Sequence, residues 1–257
     1  MKIEDMSLIN KLTNILNNIV YTDPYWLMAK YLVDNIEDFN KINIHKMSEE
    51  CFVSRATIRR FAIYLGYKNF YDLKRSIDNN FCYKKVSYKK QGDYFFKDFN
   101  ALTNLIAEYF ADINELIKKN NFSRLIKTVS NKKIYCLVSG KLYGILLSFQ
   151  EELIICKKEF YLFTNAKQCS FSNRENSEII VISASGKFAD TLNETISKVK
   201  IKKNLITINQ KYKNANYDSV YLMSKKDISD VNIDIFNKYI LTYLMDYILN
   251  EIRKEKL

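Results

Sequence analysis

The sequence predicts two architectures in series: an all-α N-terminal region, then an α/β domain with a central parallel sheet flanked by helices. Up to about residue 80 the apolar residues recur at helical spacing and are punctuated by caps. From about residue 133 they gather instead into short continuous runs separated by helical stretches, the mark of strands buried on both faces. A chain of 257 residues with one proline and five glycines also has little material for tight-turned sandwiches or barrels. Hydrophobic residues make up 47% and aromatics 14%, so a packed core is readily supplied.

Taken in order, residues 5–20 set Met6, Ile9, Leu12, Leu16 and Ile19 on one helical face. Asp23 followed by Pro24 is a cap and an N1 proline, and starts a helix to about Phe39. Its buried face is left open among Trp26, Leu27, Tyr31, Leu32, Val33 and Ile36. Asn43 caps a helix over 44–51 and Ser54 one over 55–65, which Gly66 ends where a left-handed residue is wanted. A further helix covers 69–79. The basic, aperiodic stretch 81–92, FCYKKVSYKKQG, reads as a linker, so the expected limits are 1–80, a linker over 81–93, and 94–257. A long helix over 94–120 aligns Phe95, Phe99, Leu102, Ile106, Phe110, Ile113 and Ile117. A short helix at 122–130 is followed by five apolar runs at 134–138, 160–163, 179–183, 204–208 and 219–222. Helices at 142–156 and 187–200 separate some of these runs, and one over 233–253 closes the domain.

The net charge is +11, which points to a polyanionic partner, and its distribution is more telling. Residues 1–51 carry five Lys/Arg against eight Asp/Glu, whereas residues 52–90 carry ten against Asp72 and Asp78 alone. Such a local excess is the footprint of a phosphate-binding surface. Charge alone is equally compatible with a solvated basic face or linker. The five cysteines form no CxxC pair and there is one histidine, His45, so no zinc site of ordinary spacing can be written and no cofactor is expected. Most of the cysteines lie in apolar runs, as small reduced core residues. The N-terminus does not read as a signal peptide, and no stretch of eighteen apolar residues occurs, so a cytoplasmic protein without a membrane span is expected.

The segment HKMSEECFVSRATIRRFAIYLGYKNF pairs two short helices across a tight turn at Cys51-Phe52-Val53, the arrangement whose second helix enters the major groove. Ile58, Phe61, Ala62 and Leu65 are spaced to pack inward, leaving Arg55, Ala56, Arg59 and Arg60 outward. Spacing alone leaves open an ordinary helical hairpin with a basic face. The run Val53-Ser54-x-Ala56-Thr57-Ile58-x-Arg60-Phe61, then Leu65-Gly66-Tyr67-x-x-Phe70-x-x-Leu73-Lys74, resembles the N-terminal domain of RpiR-family transcription regulators over residues 24–75. The resemblance implies a helix-turn-helix domain, a homodimer or dimer of dimers, and double-stranded DNA as partner. Ser54, Arg55, Thr57, Arg59 and Arg60 are the expected DNA contacts, with Lys68 and Lys74 positioning on phosphates. Two positions depart from the pattern. Phe52 stands where the turn often has Gly or Asn, and Ser48 where a small Ala usually packs.

In that family the C-terminal half is a SIS (sugar isomerase) domain that binds phosphosugars, and residues 122–252 resemble its layout. Ile182-Ser183-Ala184-Ser185-Gly186 runs from a strand end into the helix from Lys187. Hydroxyls and backbone N–H groups there form a ready phosphate cradle, although a Ser-capped helix alone would read the same. The first loop, Val138-Ser139-Gly140-Lys141-Leu142, keeps one glycine of the family's Gly-x-Gly-x-Ser turn, and Phe188 replaces a usual Ser or Thr. The expected effector site is Ser139, Gly140, Lys141, Ser183, Ser185, Gly186 and Lys187. A SIS domain used only for dimerisation stays open beside this. An isomerase needs a general base, and the C-terminal half has no histidine; Glu151, Glu152 and Glu194 are available, but no motif singles one out. No enzymatic role is expected.

Overall fold

The computed structural model describes residues 8–36, 42–76, 99–119, 122–164, 166, 176–212, 215–225 and 237–254. The chain divides into two compact units, residues 1–89 and 90–257. The expected linker over 81–93 lies outside the described residues.

In the first unit, helices α1 (Leu8–Asn18), α2 (Pro24–Asp34), α3 (Ile44–Glu50), α4 (Arg55–Tyr64) and α5 (70–76) enclose one apolar core. Asp23 caps α2 by accepting from the Tyr25 N–H at 2.7 Å. That helix ends at Asp34, ahead of the expected Phe39, because Asn35 closes it: its backbone N–H and its side-chain amide both donate to the Tyr31 carbonyl. Its buried residues are Met28, Ala29, Tyr31 and Leu32, so the face left open by the sequence is one turned toward Met28.

Two helix ends in this unit share one geometry. At the end of α3 the Phe52 N–H donates to the Glu49 carbonyl and the Val53 N–H to the Ser48 carbonyl. At the end of α4 the Gly66 N–H donates to Ile63 and the Tyr67 N–H to Ala62. Both are Schellman closures, which need a left-handed residue. Gly66 supplies it at φ 84°, and Phe52 does so at φ 53°. A non-glycine residue there costs about 1–2 kcal/mol. Ser48 offsets part of this by donating from its hydroxyl to the Val53 carbonyl at 2.5 Å, so the two departures from the family pattern compensate each other.

The second unit is a five-stranded, wholly parallel sheet in the order β2-β1-β3-β4-β5. Its strands are β1 (Lys133–Val138), β2 (Phe160–Phe163), β3 (Ser177–Ile182), β4 (Lys202–Thr207) and β5 (Ser219–Leu222). Helices α6 (Phe99–Lys119), α7 (Phe122–Asn131), α8 (Gly140–Ile155) and α10 (Thr242–Lys254, entered through a π-turn at Asn237–Leu241) pack on one face. That face buries Ile134, Cys136 and Val138. Helix α9 (Lys187–Ser197) covers the other face, over Tyr135, Leu137, Ile179 and Val181. This double burial is why the strands read as continuous apolar runs. On α6 the packed line is Tyr109, Ile113 and Leu116, with Phe110 and Ile117 at its flank, so the expected stripe is rotated on the helix. Phe95 lies outside the described residues. The chain leaves β1 toward β2 on one side and continues from β3 to β4 and β5 on the other. The strand order therefore reverses between β1 and β3, where Val138 pairs with Ile182.

Candidate nucleic-acid interface and effector loop

Helix α4 is held from three sides. Ile58, Phe61, Ala62 and Leu65 are fully buried against the core, and Tyr25 packs edge-on to Phe61 at 5.3 Å. Its N-terminus is set by Ser54, whose hydroxyl accepts from the Thr57 N–H at 3.1 Å and lies 2.9 Å from the Thr57 hydroxyl. Its C-terminus is tied to α1 by Lys11, only 3% exposed, which donates to the Leu65 carbonyl at 2.6 Å and sits 4.7 Å from the Tyr67 ring centre. A cation against the negative end of a helix is a favourable pairing. Sequence reasoning missed Lys11, because one lysine on an amphipathic helix reads as solvated.

The outward face carries Arg55, Arg59 and Arg60, all exposed and without a hydrogen bond or ion pair among the described residues. The first-turn N–H groups of Arg55 and Ala56 have no intrahelical acceptor and stand beside them. Ser54 and Lys68 are exposed as well. Two expected contacts are placed differently. Thr57 is half-buried, with its hydroxyl in the Ser54 cap, and Lys74 is half-buried, donating to the Ile42 carbonyl at 2.9 Å. Beside α4 a cavity of about 350 Å³ is lined by Ile19, Asp23, Pro24, Tyr25, Thr57, Arg60 and Tyr64, so Arg60 borders both the outward face and this cleft. The Cys51 thiol behind the turn is pushed up to about 11 by burial, and secondarily by Glu50.

The second group of expected residues meets at the carboxyl edge of the sheet, at the reversal between β1 and β3, where ligands of open α/β sheets bind. Ser139 precedes α8 and its hydroxyl makes no cap bond; Gly140 starts the helix, and Lys141 is exposed. Across the reversal, Ser183 is buried and its hydroxyl accepts from the Ala189 N–H at 3.1 Å. The Asn209 amide donates to the Ser185 carbonyl at 3.0 Å, and the Thr207 hydroxyl to the Ala184 carbonyl at 2.8 Å. Gly186 is left-handed at φ 88°, and a Cβ there would meet the Tyr212 ring at 2.5 Å. Tyr212 is held in place by donating to the Asp190 carboxylate at 2.9 Å and packs at 6.2 Å against Tyr217, whose phenol is pushed up by burial, then by Tyr212 and Asp190. Lys187 is exposed on the first turn of α9. The expected residues thus stand at the ends of β1 and β3, but the inner polar groups of the loop before α9 are engaged and its glycine is covered. Of the carboxylates considered as bases, Glu152 pairs with Arg253 and Glu194 with Lys198, and Glu151 is exposed.

A short helix pair with a buried stripe, a capped second helix and an exposed basic face is the arrangement of a helix-turn-helix domain. Residues 22–84 match the family described as the helix-turn-helix domain, rpiR family. The N-terminal domain belongs to that family. Among solved structures, the Vibrio vulnificus NanR protein complexed with ManNAc-6P is 15% identical, with a TM-score of 0.47 and coverage of 96% of this chain and 92% of that one. A Methanococcus jannaschii protein, for which a function as 3-hexulose-6-phosphate isomerase is inferred, is 15% identical over 62% of this chain and 90% of that one, at a TM-score of 0.47. An E. coli CFT073 protein is 14% identical over 62% of this chain and 93% of that one, at a TM-score of 0.45. No curated protein matches the chain. No helix among the described residues is long and apolar enough to cross a membrane.

Proposed function

We propose that this chain is a cytoplasmic, homodimeric transcription regulator of carbohydrate-metabolism genes, controlled by a phosphosugar-type ligand in a SIS-like domain. The observation that carries the DNA half is the exposed Arg55, Arg59 and Arg60 face on a helix buried along its opposite side, within an rpiR-family domain. The ligand half is supported by the loops after β1 and β3, which converge at the strand-order reversal with a helix N-terminus behind each. Ligand binding acts by favouring one of two dimer states, which requires unequal affinity for them. Replacing Arg55 and Arg59 together by Ala is expected to abolish specific operator binding in a mobility-shift assay. Unchanged binding would sink the assignment of α4.

A second reading, in which the α/β domain only dimerises, is favoured by Tyr212 lying on Gly186 and by the Ser183 hydroxyl being engaged inside the loop. A thermal-shift screen of sugar phosphates against the full chain separates the two. Stabilisation by one of them supports sensing. If none stabilises the native chain but one stabilises Tyr212→Ala, the covered loop is the cause. The chain is read as a non-enzyme, and turnover of a phosphosugar by the purified protein would overturn that.

A further inference from the structure

Among the exposed residues of α4, one is not explained by helix formation, packing or phosphate binding. Ile63 is 61% exposed, on the side opposite the buried Ile58, Phe61, Ala62 and Leu65. Isolated surface apolar residues are ordinary; the placement of this one is not. At 3.6 residues per turn, Ala56, Arg59, Arg60 and Ile63 share one face with the spacing i, i+3, i+4, i+7. Homeodomain recognition helices present their groove-reading side chains with the same spacing. Two cations therefore flank a strip with a methyl side chain at one end and a branched apolar side chain at the other. Ile is a poorer helix former than Lys, Arg or Gln, so neither propensity nor a phosphate contact recommends it at an exposed position.

In the major groove the apolar feature on a base edge is the thymine C5-methyl group. We infer that Ala56 and Ile63 read thymine methyl groups, so that this pair sets part of the sequence specificity while Arg59 and Arg60 grip base edges or phosphates between them. The inference rests on the DNA-binding reading of α4 and deepens it. Seven residues of helix advance about 10.5 Å. Along the inclined groove successive base pairs lie somewhat further apart than their axial rise of about 3.4 Å, so the two methyl contacts fall about two to three base-pair steps apart. Ala56 has only a methyl group, which lets the helix backbone come close, and Ile63 reaches outward from the last turn.

The test uses the full-length chain. Duplexes are first selected from a randomised pool, and each thymine of the selected site is then replaced in turn by uracil, which lacks only the C5 methyl. Affinities are read by fluorescence anisotropy. The expected result is two positions, about two to three steps apart, at which uracil weakens binding by about 4-fold each, as loss of one buried methyl group gives. Ile63→Ala, at an exposed site that leaves the fold intact, is expected to bring one of those ratios to about 1, while Ile63→Val retains most of it. The proposal is overturned if no thymine is sensitive to uracil. It is equally overturned if Ile63→Ala leaves the ratios unchanged, including the case where it alters the association state instead. If no duplex is enriched at all, the DNA-binding reading fails as well, and the two failures are told apart.

Discussion

The turn before α4 and the loop before α9 are built from the same parts and finished in opposite ways. Each brings a left-handed residue and a serine together just ahead of a helix N-terminus. Before α4 that residue is Phe52, 93% exposed and strained, and the Ser54 cap leaves three arginines facing outward. Before α9 it is Gly186, unstrained, buried and covered by Tyr212, and the Ser183 hydroxyl is engaged within the loop by the Ala189 N–H. Strain retained next to an open cationic face is what a binding surface tolerates. A relaxed loop with its donors engaged gives stability and leaves less for a ligand.

Reversing the charge on α4 is expected to have the largest effect. Arg59→Glu with Arg60→Glu lowers operator affinity by about 1,000-fold, given about 1–3 kcal/mol for each good contact and added repulsion from phosphate. Anisotropy titration at fixed salt checks this, with the thermal midpoint unchanged. Next is Gly186→Val, which forces a branched side chain into a left-handed backbone and into Tyr212. It is expected to cost about 2–3 kcal/mol, read as a lower thermal midpoint. Lys11→Ala leaves the Leu65 carbonyl without its buried donor and is expected to cost about 1–3 kcal/mol. Trp26, the one tryptophan of the chain, lies in α2 and reports urea unfolding of this unit by fluorescence. The smallest effect is a gain: Phe52→Gly relaxes the turn and is expected to add about 1 kcal/mol on the same readout. A loss there would mean that Phe52 is held by contacts rather than strained.

The sequence alone made the two architectures legible. Caps at Asp23, Asn43 and Ser54 and the stop at Gly66 are local chemistry, decided by residues within four positions, and the structure has the side-chain bond expected of each cap. The doubly buried strands were legible because burial on both faces removes polar alternation. The two faces of α4 were legible for the same kind of reason: its inward and outward residues follow from helical spacing alone. What only the tertiary structure decided depends on residues far apart in the chain. Lys11 and Leu65 are 54 positions apart, and nothing local distinguishes this lysine from a solvated one. Lys74 reads as a phosphate contact until its ammonium is placed on the Ile42 carbonyl, 32 positions away. The loop before α9 stood out in the sequence by its serines and glycine. Its covering did not, because Tyr212 reaches Gly186 only through the packing of the chain after β4 against α9. Periodicity and capping are properties of neighbours in sequence, whereas the partner of a buried charge or the cover of a loop is a property of the folded surface.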